Sequence, residues 1–417
     1  MATHSLAGPG RIVSPDQQLS LLKRMLADAG KLERVLIIPP DFTRFHSDAG
    51  TITVQLYELL RDRAEITILP ALGTHAPMSG EQLDEMFPGI PKDLIRDHDW
   101  RHEVMPLGEV PADFVAALVD NQLNYPIQAE VNRLVIEGNF DLILSVGQVV
   151  PHEVIGMANH NKNIFVGTGG SDTINKTHYL SAIDGIESVL GQRDTAVRKV
   201  LNYAEDRYLS ELPLVYVLTV RGYEGDDLVT RGLYAGPGRD GFNQAVELAK
   251  DVNIEWLDRR PDKMVVYLDP SEFHSTWLGN KAIYRTRRAI ADDGELIVLA
   301  PGVKMFGEDP AIDTLIREFG YCGTPATLEA VEKHEHLRQN LSAAAHLVHG
   351  STEGRFRVTY ATGGLSREEV ESVGYNFGDI AELSKRYNPT SLCPGWNQVD
   401  GEDIYFIRNP ATGLWSI

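Results

Sequence analysis

The chain has 417 residues, enough for two full-size domains, and its 43% apolar and 24% charged content is ordinary for a globular protein. A formal net charge of −20 with no basic patch to offset it argues against nucleic acid or an anionic membrane as partner. A small anionic substrate stays open, because a few Arg and Lys side chains suffice to line a pocket. Two cysteines without CxxC spacing exclude a disulfide scaffold and a thiolate zinc finger. With no signal-peptide core near the start and no apolar run of membrane length, the expected location is the cytoplasm.

Residues 1–15 read as a flexible lead-in, after which Ser14 and Pro15 open a capped helix, SPDQQLSLLKRML. RVLIIPP (Arg34–Pro40) is a continuous apolar strand of the kind buried in parallel sheets. It empties into DFTRFHSDAG, and a helix, TITVQLYELLRDRA, follows. A second strand, EITILPALG (Glu65–Gly73), runs into GTHAPMSGEQLDEMF, where Ser79 caps another helix. Such strand–loop–helix repeats predict an α/β fold with mainly parallel sheets flanked by helices.

Residues 90–130 are less regular, with a strand near HEVMP. DLILSV (Asp141–Val146) restores the pattern, and LPLVYVLTV (Leu212–Val220) is another strong strand. RGLYAGPGRDGFNQAVELAKDVNIEWL supplies a Gly-rich turn, a helix and a strand. DRRPDK (Asp258–Lys263), charged and broken by Pro261, is the best domain boundary. It separates a first domain, 1–258, from a second, 263–397, in which the α/β rhythm restarts. The aromatic tail, about 398–417, is strand-like and free to pack back on the first domain instead of finishing the second.

Three polar clusters follow strand ends in the first domain: Asp41–Thr43–Arg44, Gly73–Thr74–His75, and a span holding His152, His160, Lys162 and His178. Strand C-termini of a parallel sheet share one edge, so these groups are expected to converge. Arg44 suits a carboxylate or phosphate, and His75 and His152 suit proton transfer. Each signal alone has an ordinary alternative: a helix cap for Asp-x-Thr-Arg, a solvated turn for GTH, a surface lysine for Lys162. Neither GxGxxG in Rossmann position nor a P-loop occurs, which disfavours the usual NAD and ATP sites.

As a set, these motifs resemble the lactate racemase family, enzymes that use a nickel pincer nucleotide. The resemblance rests on DFTR (Asp41–Arg44), GTHAPM (Gly73–Met78), Pro151–His152, Lys162 ten residues on, and His178 sixteen beyond that, and it runs from about residue 34 to 300. GLYAGP (Gly232–Pro237) also looks like a turn found late in the family's first domain.

The resemblance implies a first domain that binds cofactor and an active site in the interdomain cleft. Lys162 becomes the attachment point of a pyridinium thioamide/thiocarboxylate mononucleotide and His178 the imidazole ligand on Ni(II), with Asp41 and Thr43 also at the cofactor. It further implies inversion of C2 in a 2-hydroxy acid by reversible hydride transfer, with His75 and His152 as bases on opposite faces and cofactor-maturation enzymes as partners. Arg44 would clamp the carboxylate, assisted by Lys281 from the second domain.

One departure bears on substrate. Members acting on lactate carry a glutamine three residues before that lysine; here the position is Leu278, beside Trp277. A pocket shaped by Trp277 and Leu278 leans toward an aldonic (sugar) acid, with a short-chain 2-hydroxy acid as the alternative. Two rival classes remain: a Schiff-base aldolase or dehydratase built on Lys162, and a sensor of small hydroxy acids that uses Arg44 and Lys281 without a cofactor.

Overall fold

The apolar run at Arg34–Ile38 forms strand β2, and its last four residues are buried. The computed structural model describes residues 1–225, 227–411 and 413–417. They divide into one unit made of residues 1–184 and 191–253, and a second made of 185–190 and 254–417.

The first unit contains β1 (His4–Ala7), β2, β3 (Glu65–Ile68), β4 (Val104–Val110), β5 (Ile127–Asn132), β6 (Leu142–Gln148), β7 (Pro151–His152), β8 (Gly156–Met157), β9 (Leu214–Glu224) and β10 (Asp227–Gly236). Six of them build a sheet in the order β1-β10-β9-β6-β2-β3. β2 is parallel to both β3 and β6, and β6 is parallel to β9. The loops after β2, β3 and β6 therefore leave the sheet from the same edge, as the sequence predicts. Capping boxes at Ser14 with Gln17 and at Ser79 with Gln82 start two of the helices at their expected positions.

Two first-domain expectations are corrected. The lead-in is not wholly irregular, because His4–Ala7 adds β1 to the antiparallel edge of β10. GLYAG is not a turn but the buried end of β10. Its Gly232 is required by packing: a Cβ there would lie 2.7 Å from Leu248 of the covering helix Asp240–Asn253 and 2.9 Å from the Tyr234 ring.

The second unit contains β11 (Ile254–Trp256), β12 (Lys263–Tyr267), β13 (Glu295–Ala300), β14 (Arg357–Thr362), β15 (Asn376–Phe377), β16 (Gly395–Val399), β17 (Glu402–Ile407) and β18 (Leu414–Ser416). Its six-stranded sheet runs β15-β14-β13-β12-β17-β16, parallel except at β16. The tail thus completes this unit: β17 pairs with β12, and β18 runs parallel to β11. Ile404, Tyr405, Phe406 and Ile407 are all buried, so this segment needs cover on both faces and lies inside the sheet. Ile254–Trp256 precedes the expected boundary yet belongs with the tail, and residues 185–190 join the same unit, with Ile186 and Leu190 packing on Tyr284 and Leu414. Among the described residues no helix is long and apolar enough to cross a membrane.

Leu144 lies at the centre of β6, fully buried in the first unit's core. Leu144→Ala is expected to destabilise that unit by about 2–5 kcal/mol, read as faster native-state hydrogen exchange at the amides of β2 and β6. Unchanged exchange there would contradict this placement of the core.

Candidate active site

The end of β2 delivers Asp41, Thr43 and Arg44, and the end of β3 delivers His75. A parallel bridge between Pro40 and Ala71 holds the two loops side by side. Asp41, almost fully buried, accepts a 2.5 Å hydrogen bond from His75 Nδ1 and another of 2.5 Å from the Thr43 hydroxyl. Burial alone would raise the Asp41 pKa, but the hydrogen bond and charge of His75, with help from Thr43 and Arg44, hold it below the ordinary carboxylate value. An ionised Asp41 fixes the proton of His75 on Nδ1 and leaves Nε2 as the acceptor. Asp41 and Thr43, expected at the cofactor, are engaged with each other and with this imidazole. Arg44 is half-buried, its guanidinium 3.2 Å from the Thr43 hydroxyl.

The end of β6 turns through the short hairpin β7–β8, which carries His152. His152 Nδ1 accepts the backbone N–H of Val154 at 3.0 Å, so the neutral ring bears its proton on Nε2. Burial drives its pKa well below the usual histidine value; Glu153 opposes this, and Lys162, Arg44 and His178 reinforce it. The two expected bases are thus set up differently, His75 as an acceptor at Nε2 and His152 as an N–H donor there.

Lys162 sits in the short helix Asn161–Phe165. The buried residues on either side fix that helix: Asn163 donates to Ile38 O at 3.0 Å and to Ser145 Oγ at 3.1 Å, and Asn161 donates to Asn202 Oδ1 and Glu205. Burial and the nearby charge of Arg44 lower the Lys162 pKa to about 8, against the opposing pull of Glu153 and Asp41. Its amine therefore has a sizeable neutral fraction near neutrality.

His178 lies on the helix Ser171–Asp184 and donates from Nδ1 to Ile174 O at 2.6 Å. Burial lowers its pKa to about 4, the hydrogen bond to Ile174 opposing and Lys162 adding to the shift. A neutral ring with its proton pinned on Nδ1 presents the Nε2 lone pair, the form that ligates metal. Lys162 lies close enough for its charge to act on His178. Their donor set, an activatable amine and a free imidazole nitrogen, fits a covalently held, nickel-bearing group.

The GTGG turn before His178 serves packing. A Cβ on Gly170 would lie 2.4 Å from the Glu130 carboxylate, which accepts the amides of Asp172 and Thr173 at the start of the His178 helix. That helix start is therefore already capped by an acid. His160 belongs to the core: it is stacked 3.8 Å from Tyr216, and its Nε2 donates to Gly238 O.

In the second unit, Trp277, Leu278 and Lys281 share one helical stretch after β12, capped by Ser275. All three are half-buried; Trp277 packs 4.5 Å from His346, and the Lys281 ammonium lies 5.7 Å from the Phe273 ring centroid.

Sequence reasoning missed Glu153, Asn161, Asn163 and Arg198. Arg198 is fully buried and donates to Met157 O, Asn159 O and Asn161 Oδ1, bracing the loop that leads to Lys162. The one signal in the sequence is the run Asn159–Asn163, five polar residues between apolar neighbours, too polar for an interior segment without dedicated partners.

Fold and site together define an α/β protein with a lysine, a metal-ready imidazole and an Asp–His pair gathered at one sheet edge. Residues 20–190 match the sequence model of the lactate racemase N-terminal domain. A crystal structure of a Thermotoga maritima protein, 25% identical, covers 98% of this chain and 99% of its own with a TM-score of 0.84. The lactate racemase apoprotein of Thermoanaerobacterium thermosaccharolyticum, 15% identical, shares the fold at a TM-score of 0.70 over 96% of this chain and 93% of its own. No curated protein sequence matches the chain.

Long-range 1H–15N NMR at neutral pH is expected to find the Nδ1–H tautomer at His178 and the Nε2–H tautomer at His152; the reverse assignment at His178 would remove its lone pair from the site. Acylation of Lys162, followed by peptide mass, should rise with a midpoint near pH 8, the amine being protonated below and neutral above it. A midpoint typical of a free lysine would contradict the charge environment described.

Proposed function

We propose that the chain is a racemase or epimerase that inverts C2 of a 2-hydroxy acid, with a nickel pincer nucleotide held by Lys162 and His178. The observation that carries this reading is the pairing of an amine brought to about pKa 8 with a neutral imidazole whose Nε2 is free. The match of residues 20–190 to the lactate racemase N-terminal domain supports the same reading. When bound, such a group supplies an electrophilic centre that takes up the C2 hydrogen with its electron pair and returns it.

The chain's own residues do the rest. Arg44 binds the substrate carboxylate through its planar fork. His75 Nε2 removes the hydroxyl proton from one enantiomer, and Asp41 stabilises the imidazolium that forms. His152 is the base for the other enantiomer, a role that requires its resting tautomer to reverse so that Nε2 accepts the hydroxyl proton and the ring becomes imidazolium. Hydride loss avoids the carbanion that direct deprotonation beside a hydroxyl would create.

Leu278 supplies no polar group where lactate-specific relatives have an amide. This departure argues against lactate, and we take an aldonic acid as the substrate ahead of it. The lowered Lys162 pKa is also what a Schiff-base enzyme requires, so the two chemistries are separated by experiment.

Protein produced with the cofactor-building enzymes is expected to carry a nucleotide mass at Lys162, absent in Lys162→Arg. It should epimerise aldonates at C2 by NMR, with deuterium at C2 retained through inversion. Wash-out of the label, or borohydride trapping of substrate on Lys162, would replace this reading with proton abstraction or the aldolase class. Asp41→Asn, which leaves the His75 proton unfixed, is expected to lower kcat by about 10²–10⁴-fold with nickel content unchanged. Loss of nickel would instead assign Asp41 to the cofactor.

A further inference from the structure

The second unit carries a separate group of metal-binding side chains. Glu318 lies near the end of the helix Pro310–Phe319, His334 at the junction between the helices Thr324–Lys333 and Glu335–Arg338, and His336 within the latter. One ligand atom from each residue lies within 4.8 Å of the others, and all three residues are exposed. His336 Nε2 is 3.1 Å from both Glu318 oxygens. With metal–ligand bonds of about 2.0–2.2 Å, neighbouring donors in a tetrahedral or octahedral shell sit roughly 3–3.5 Å apart. The Glu318–His336 edge already has that spacing, and the exposed His334 needs only a side-chain adjustment on the order of 1 Å to complete it. Phe319 is wedged against both rings, with centroids 5.1 Å from His334 and 5.5 Å from His336, and restricts them to one side of the helix. A simple ion pair uses one imidazole and leaves the placement of His334 unexplained.

We propose that Glu318, His334 and His336 form a surface site for a divalent transition ion of the zinc, nickel or copper kind. Two imidazoles and one carboxylate favour these ions over calcium or magnesium, which prefer all-oxygen shells. Three protein donors leave at least one position for water, so the ion exchanges freely. Bound there, it ties the helix Pro310–Phe319 to the turn at 334–336 and stiffens that face of the second unit. This site is independent of the chemistry proposed for Lys162 and His178.

Zinc titration calorimetry on the full chain, with His334→Ala and His336→Ala compared to the unaltered protein, tests the proposal. One equivalent of zinc should be weakened roughly tenfold or more in each variant. Electron paramagnetic resonance of the Cu(II)-loaded chain should show two coupled imidazole nitrogens at this site, falling to one in either variant. All three residues are exposed, so the variants should keep the circular dichroism of the unaltered chain. Superimposable isotherms for the unaltered protein and His334→Ala would overturn the proposal, as would a copper spectrum indifferent to both substitutions. An effect confined to His336→Ala would reduce the cluster to an ion pair.

Discussion

The side-chain amide of Asn163 donates to Ile38 O at the end of β2 and to Ser145 Oγ in β6. One nitrogen thus fastens the Lys162 helix to the end of β2 and the middle of β6, two neighbouring parallel strands. The strands carry the DFTR loop and the His152 hairpin, so the same bonds fix Lys162 relative to Arg44 and His152. Arg198 does the corresponding work from the other side, bonding the carbonyls of Met157 and Asn159 while its guanidinium lies 4.4 Å over the Phe242 ring. A guanidinium this deeply buried is tolerable because carbonyls and an amide oxygen accept from both of its terminal nitrogens and Glu205 lies close enough to offset its charge. Replacing either anchor would leave buried polar groups without partners, a larger loss than the hydrogen bond itself.

Much of this arrangement was legible in the sequence because parallel sheets impose a simple rule. Unbroken apolar runs such as RVLII and DLILSV become interior strands, and whatever polar residues follow them arrive at one edge. Asp41, His75, His152, Lys162 and His178 were located that way. The missing parts have different physical causes. β1 is four residues long and pairs with a strand more than 200 positions away, so no local pattern announces it. Gly232 was read as turn chemistry, whereas it makes room for a helix packed on the sheet. The tail's place in the second unit is decided by pairing with β12, a contact that its own composition cannot specify.

The functional details least visible beforehand concern protons. His75 and His152 were both read as bases, with no sign of which ring nitrogen would carry the proton. Their tautomers are set by a carboxylate in one case and a backbone amide in the other, and both partners depend on folded geometry. Glu130 is a further instance: it occupies the start of the His178 helix, where backbone amides would otherwise attract a phosphate. Nothing in the local sequence pairs Glu130 with residues some forty positions later; the long-range fold does.

The unequal preparation of His75 and His152 has a thermodynamic corollary for the proposed reaction. The two C2 forms of the substrate have a fixed free-energy difference in water, zero for mirror images but not for sugar-acid epimers, so microscopic reversibility fixes the ratio of specificity constants in the two directions. Whatever bias the resting tautomers create must cancel in kcat/KM and survive only in the separate turnover numbers and half-saturation concentrations. An enzyme built this way relaxes scarce substrate toward whatever ratio water dictates, and its own lopsidedness shows only when it is flooded.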